Sequence, residues 1–123
     1  MEIRVTDLMV GDLVLHDGKV IRVDAVHKRK IGYHKTKDKL TWLFSGQFQP
    51  ITLTPEILEK NGFENQGYAI LELEDDCILS YYFHEYRLTK YYKDNILFRC
   101  ECVYVHQLQH ALKLCGIDKD IIV

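Results

Sequence analysis

The stretch Leu13-Val14-Leu15-His16-Asp17-Gly18-Lys19-Val20-Ile21-Arg22-Val23-Asp24-Ala25-Val26 decides how this chain folds. Asp17-Gly18 stands between two β-rich runs, Leu13 to His16 and Lys19 to Val26. A type I′ turn needs positive φ at both central residues, and Asp-Gly tolerates it. In the second run Ile21, Val23 and Ala25 alternate with Arg22 and Asp24. That period of two marks a strand with one wet face. The two runs predict an antiparallel hairpin, and with it a fold built on antiparallel sheet. Just upstream, Thr6 to Val10 reads as a short turn and Gly11 as the bend into the first strand.

Further along, Leu40 to Phe44 and Phe48 to Leu53 read as short strands, with Ser45-Gly46 as the turn between them. Pro50 must lie at an edge or a strand end, because it has no N–H for the ladder. This density of short strands predicts a small, partly open barrel of SH3-like type. Thr54-Pro55 then opens a short helix, with threonine as N-cap and proline as first helical residue. Gly62 closes it, and Phe63 can pack back on Leu58. Tyr68 to Glu74 alternates as a strand, Asp75-Asp76 is a turn, and Cys77 to Tyr86 reads as one long strand. In the run from Ile96 to Val103, Ile96, Phe98, Cys100 and Cys102 share one face. From Tyr104 to Cys115, the residues Tyr104, Leu108, Ala111, Leu112 and Cys115 form a helical apolar stripe that Gly116 stops. The prediction is one α+β domain over residues 1–123, mostly antiparallel, with a barrel-like β part over 1–53 and an α+β part over 54–123.

Hydrophobic residues at 47% and charged residues at 28% are ordinary for a globular chain of 123 residues. No apolar run approaches the roughly 20 residues of a membrane span. Met1-Glu2-Ile3-Arg4 lacks the basic start and apolar core of a signal peptide, so a cytoplasmic setting with four reduced cysteines is expected. The net charge of -2 offers no global attraction to nucleic acid or membrane. Locally the balance differs. Lys28, Arg29, Lys30, Lys35, Lys37 and Lys39 face one acid, Asp38, whereas the segment from Glu56 to Asp76 is strongly acidic.

Four motifs stand in order: Leu8-x-x-Gly11-Asp12-Leu13-Val14, Gln49-Pro50-Ile51-Thr52-Leu53-Thr54, Ile57-Leu58 with Gly62-Phe63-Glu64, and Tyr104-Val105-His106-Gln107-Leu108-Gln109. In these stretches the chain resembles a family of small uncharacterised proteins encoded by gut anaerobic bacteria and their prophages. His110 stands where that family usually has Asn, and Thr52 where it has a second proline. Residues 65–95 lie outside the resemblance. It implies a mobile-element setting and no particular chemistry.

Cys100-x-Cys102-x₃-His106-x₃-His110 offers zinc-type ligands. Residues two apart on a strand are about 6.5–7 Å apart at Cα, whereas two sulfurs on one zinc lie under about 4 Å apart. Core thiols and flanking histidines are the simpler reading, so no metal and no cofactor is expected. A cysteine nucleophile needs a base within reach, and alternation puts Cys77 and His84 on opposite faces. No phosphate loop or catalytic triad pattern is present.

Three groups of residues remain as binding candidates. The basic segment, with Tyr33 and with Trp42 and Phe44 close behind, pairs phosphate-seeking cations with rings that stack on bases; a solvated hairpin loop is its bland alternative. The polar helix face His106, Gln107 and Gln109 suits a partner or ligand. Tyr81 and Phe83 on one side of a strand, with Tyr82, His84 and Tyr86 on the other, leave aromatic bulk on both faces, as in a self-association interface or a strand covered within the chain. The reading is a non-enzymatic binding or accessory protein, with an unidentified protein partner or a second copy of itself. Weak, salt-sensitive nucleic-acid binding is the alternative, and an unrecognised enzyme comes third.

Overall fold

The Asp-Gly hairpin forms as its residues require. Strand β1 (Leu13–His16) pairs antiparallel with β2 (Lys19–Arg22), and Asp17 and Gly18 take φ of 49° and 74° between them. The structure, a computed structural model, describes residues 3–63, 70–72, 77–82 and 85–123. The chain divides into two compact units, Met1–Ile51 and Thr52–Val123.

In the first unit the run from Lys19 to Val26 is not one strand. It breaks after Arg22 and resumes as β3 (Ala25–His27), which pairs with β4 (Lys30–Thr36), which in turn pairs with β5 (Lys39–Phe44). Val23 and Asp24 carry the chain between the two sheets. The Val23 N–H donates to the Asp12 carbonyl at 2.8 Å, its carbonyl accepts from the Gly11 N–H at 2.7 Å, and the Asp24 N–H donates to the Gly32 carbonyl at 2.8 Å. The bend lets both open sheets supply one core of Val14, Val23, Ile31, Tyr33, Leu43 and Phe48, joined by Ile3, Val5 and Leu8 from the first turn. The basic segment is therefore not a loop: most of it is β4 and its two flanking turns.

Phe48 to Leu53 is also not a continuous strand. Gln49 bridges Leu15 and Thr52 bridges Tyr104, as isolated contacts. Pro50 lies between them, and without an N–H it ends the ladder.

The second unit opens on α1 (Pro55–Lys60). The Thr54 hydroxyl accepts from the Ile57 N–H at 3.3 Å. At the other end Gly62 takes φ of 82°, and the N–H groups of Phe63 and Gly62 donate to the carbonyls of Leu58 and Glu59. Between these caps, buried Asn61 donates to the carbonyls of Ile57 and Ile122 and accepts from the Ile122 N–H, each at 2.7 Å. One side chain thus fastens the helix end to the C-terminal tail.

The strands β6 (Ile70–Glu72), β7 (Cys77–Tyr82), β8 (Glu85–Tyr92) and β9 (Asn95–Cys102) form an antiparallel sheet in that order. The expected single strand from Cys77 to Tyr86 is corrected: it is parts of two antiparallel strands, with Tyr81 opposite Tyr86 and Tyr82 opposite Glu85. Leu79 faces Leu88, Leu88 faces Cys100, and Tyr86 faces Cys102, which gathers an apolar face. Helix α2 (Val105–Leu114) packs along β9 and buries Val105, His106, Leu108, Ala111 and Leu112. Gly116 at φ of 77° ends it, with the Ile117 N–H donating to the Leu112 carbonyl at 2.9 Å. Among the described residues the architecture is thus α+β, with nine strands all paired antiparallel and two α-helices. None of the described helices is long and apolar enough to cross a membrane.

Candidate functional site

Pairing in the three-stranded sheet sets out two faces. Residues directly opposite each other on neighbouring strands share a face, and the side chains alternate along each strand. Ile31, Tyr33 and Leu43 point into the core. The opposite face collects His27, Lys30, Gly32, His34, Trp42 and Phe44, with Ala25 and Leu40 among them. Trp42 is 37% exposed and Phe44 58% exposed, large values for such rings on a paired sheet. Gly32 lies directly opposite Trp42. A Cβ at that glycine would come within 3.1 Å of the Leu40 side chain, so the missing side chain lets Leu40 lie across the strand.

Cations frame these rings. The Lys30 ammonium sits 4.6 Å from the Trp42 ring centroid, and the His27 ring meets Trp42 edge-on at 6.4 Å. Lys28 and Arg29 are exposed in the turn between β3 and β4, where Lys28 takes a φ of 50°. A shallow hollow of about 280 Å³ lies among His27, Lys28, Arg29, Lys30 and Phe44. No carboxylate belongs to this face by register.

The six cations do not form one patch. Lys28, Arg29 and Lys30 stand at the start of β4, and Lys35, Lys37 and Lys39 at its other end. A seven-residue strand places these groups about 20 Å apart. Tyr33 is 8% exposed and belongs to the core, so it offers no full face for stacking. At the far end of β4 a cleft of about 520 Å³ opens between that strand and the β1–β2 hairpin, and Lys35 reaches it. There the Asp24 carboxylate accepts from the His34 ring at 2.8 Å and from the His34 backbone N–H at 3.0 Å. Those contacts hold the Asp24 carboxyl below its usual value, the ring hydrogen bond contributing most.

The polar helix face resolves into structural roles. His106 is 3% exposed, stacked on Tyr104 at 5.8 Å and edge-on to His110 at 5.8 Å. The Gln107 side-chain oxygen accepts from the N–H groups of Val103 and Tyr104 at 2.8 and 3.0 Å, which caps α2. Gln109 is half-buried. In the aromatic strand, Tyr86 is buried within one chain, its ring 4.7 Å from Tyr81, so its burial needs no second copy. Phe83 and His84 lie outside the described residues, and of Tyr82 only its pairing with Glu85 is described.

Three of the four thiols, Cys77, Cys102 and Cys115, are buried, and Cys100 is half-buried. Burial pushes Cys102 up to about 12, with Cys100 adding to the shift. Burial and the neighbouring Cys77 likewise push Cys115 up to about 12. Neither supplies a thiolate near neutral pH, and the thiolate is the reactive form. Among the described residues no three His, Cys, Asp or Glu side chains gather as a metal site would require.

Comparison of the chain with protein families, with curated proteins and with solved structures gives no match. Two features of the first unit are suited to binding: the aromatic, cationic sheet face and the cleft at its far end.

Proposed function

We propose that this chain is a non-enzymatic binding protein of the accessory kind carried by mobile elements, and that its first unit takes single-stranded nucleic acid on the outer face of β3–β5. The observation that carries the reading is Trp42: exposed on a paired sheet, with Phe44 beside it and Lys30 over its ring. Unpaired bases stack on such rings at about 1–3 kcal/mol each, without regard to sequence. Lys28, Arg29 and Lys30 supply the phosphate contacts, and these weaken steeply with salt. The first unit is read as a small, partly open SH3-like barrel. Support comes from the bent β2–β3 passage, the shared core and the Gln49–Leu15 bridge beside β1.

The chain has one tryptophan, so its own fluorescence reports on the face. Titration with oligothymidylate at low salt is expected to quench Trp42, with binding falling as salt rises. Phe44→Ala should weaken binding about fivefold or more, and joint replacement of Lys28, Arg29 and Lys30 by Ala should flatten the salt dependence. Unchanged fluorescence, with no binding of a labelled oligonucleotide by anisotropy, overturns the proposal.

A second reading, protein docking through the second unit, is favoured by Tyr92, Ile96 and Leu97, all exposed around the β8–β9 turn. Light scattering of the purified chain tests its simplest version: a monomer at high concentration excludes self-association.

A further inference from the structure

The cleft at the far end of β4 has a charge pattern that the sheet-face reading does not use. Its rim carries two carboxylates, and each is paired with a histidine. Asp24 accepts from His34 at 2.8 Å, and Asp17 lies 3.4 Å from the His16 Nε2. Lys19, Arg22 and Lys35 also line the cleft, and among the described residues none of the three is held in an ion pair. Three cations against two carboxylates leave the cleft net positive by one charge, in a concave site where low-dielectric walls focus the field.

The rest of the lining is apolar or aromatic. Val20, Ile21 and Tyr33 contribute wall, and the His16 ring lies 5.9 Å from the Tyr33 ring. His16 is held in place because its Nδ1 donates to the Gln47 carbonyl at 2.7 Å. His34 is held by two hydrogen bonds to one Asp24 oxygen. At about 520 Å³ the cleft falls within the usual range for small-molecule sites, about 300–1,000 Å³, and a lone phosphate would leave most of it empty.

We infer that this cleft binds a nucleoside phosphate, with Lys19, Arg22 and Lys35 on the phosphate and the His16 ring with Val20 and Ile21 against the base. A ligand with an anionic end and a flat, weakly polar end matches both halves of the lining, and neither phosphate nor nucleoside alone does. The ligand is either a free nucleotide or the terminal nucleotide of a strand. The assignment is separable from the sheet-face reading, because Lys28, Arg29, Lys30, Trp42 and Phe44 do not line the cleft and His34 is the one residue the two share.

The test is a titration of the ¹⁵N-labelled full chain with AMP, inorganic phosphate, adenosine, and a 5′-phosphorylated trinucleotide. Amide shifts are expected in the β1–β2 hairpin and at Tyr33–Lys35 with AMP, and far weaker ones with phosphate or adenosine. Arg22→Ala with Lys35→Ala should weaken AMP binding about tenfold or more, whereas Trp42→Ala should leave it unchanged. A trinucleotide that displaces AMP identifies the strand end as the source; one that fails to displace it identifies the free nucleotide. The inference is overturned if AMP produces no shifts in these segments, if phosphate binds as well as AMP, or if the double variant binds AMP normally. Oligothymidylate quenching of Trp42 is read separately, so failure of either site is seen without the other.

Discussion

The three-stranded sheet of the first unit and the four-stranded sheet of the second follow the same pairing rules and end with opposite surfaces. In the second unit helix α2 lies along β9, and the face bearing Leu79, Leu88 and Cys102 is buried. The other face of that sheet is mixed, with Arg87, Arg99 and Glu101 beside buried Thr89 and half-buried Ile78. In the first unit Ile31, Tyr33 and Leu43 are buried on the inner face, but the outer face carries Trp42 and Phe44 among histidines and a lysine. A sheet with one packed face ordinarily turns polar residues to water. Rings left partly on the wet side gain less from burial than rings in the core, which is why this face carries the proposed binding.

The sharpest way to break that contrast is to truncate rings on both sides of it. Phe48→Ala, in the core at 1% exposure, should cost about 3–5 kcal/mol, and Leu88→Ala in the second unit about 2–5 kcal/mol. Trp42→Ala, at 37% exposure and under the Lys30 ammonium, should cost less, about 1–2 kcal/mol. Denaturant unfolding of the three variants checks this. A loss at Trp42 comparable with that at Phe48 would make the outer face structural and remove the contrast.

A smaller effect is expected at the turn between β8 and β9. Lys93 and Asp94 take φ of 47° and 67°, in the left-handed region that L-residues enter at a cost. Replacing the pair by Asn-Gly should raise stability by about 1 kcal/mol. Hydrogen exchange of β8 and β9 amides should slow accordingly. Unchanged or faster exchange would show that these side chains have a stabilising role of their own. The Asp17-Gly18 turn of the first unit already has suitable residues, so the same change there should bring little.

The smallest effect concerns the pair Asp24 and His34. The folded state holds the Asp24 carboxyl below 3.8, chiefly through the His34 ring. A depressed carboxyl contributes stability above its unfolded value, and that contribution is lost as pH falls through the folded value. The window therefore lies below 3.8. Because the pair is partly exposed, solvent screens it and the effect on stability should be slight. Titration of the Asp24 carboxyl by NMR should show the depression, and His34→Ala should move it back toward 3.8.

The elements that could be read from sequence are those whose end signals are local. Thr54-Pro55 and Gly62 bracket α1, and Gly116 ends α2, because caps and positive φ depend on one or two residues. The β8–β9 hairpin gave no comparable signal. Lys93-Asp94 adopts the conformation that Asn or Gly would advertise, so the turn is set by the pairing of its strands. Likewise Cys77 to Tyr86 contains no glycine or proline, and one aromatic run conceals parts of two strands. His106 and Gln107 looked like a polar helix face because composition does not distinguish a cap or a buried ring from a solvated side chain. Trp42, Phe44 and Lys30 were visible as an aromatic and basic cluster. That they share one face with Gly32 follows from the register across three strands.

By itself the sequence determined the antiparallel α+β character, the two helices with their caps, and the presence of cations beside aromatic residues. These depend on periodicity and on the dihedral preferences of single residues, which act over a few positions. Only the tertiary structure decided that Val23 and Asp24 divide one apparent strand between two sheets, that the six cations separate to the two ends of β4, and that Asp24 meets His34 across a cleft with Lys19, Arg22 and Lys35. Those outcomes depend on which strand pairs with which, and in what register. Pairing is selected by burying a shared core from distant segments, so no local stretch contains it.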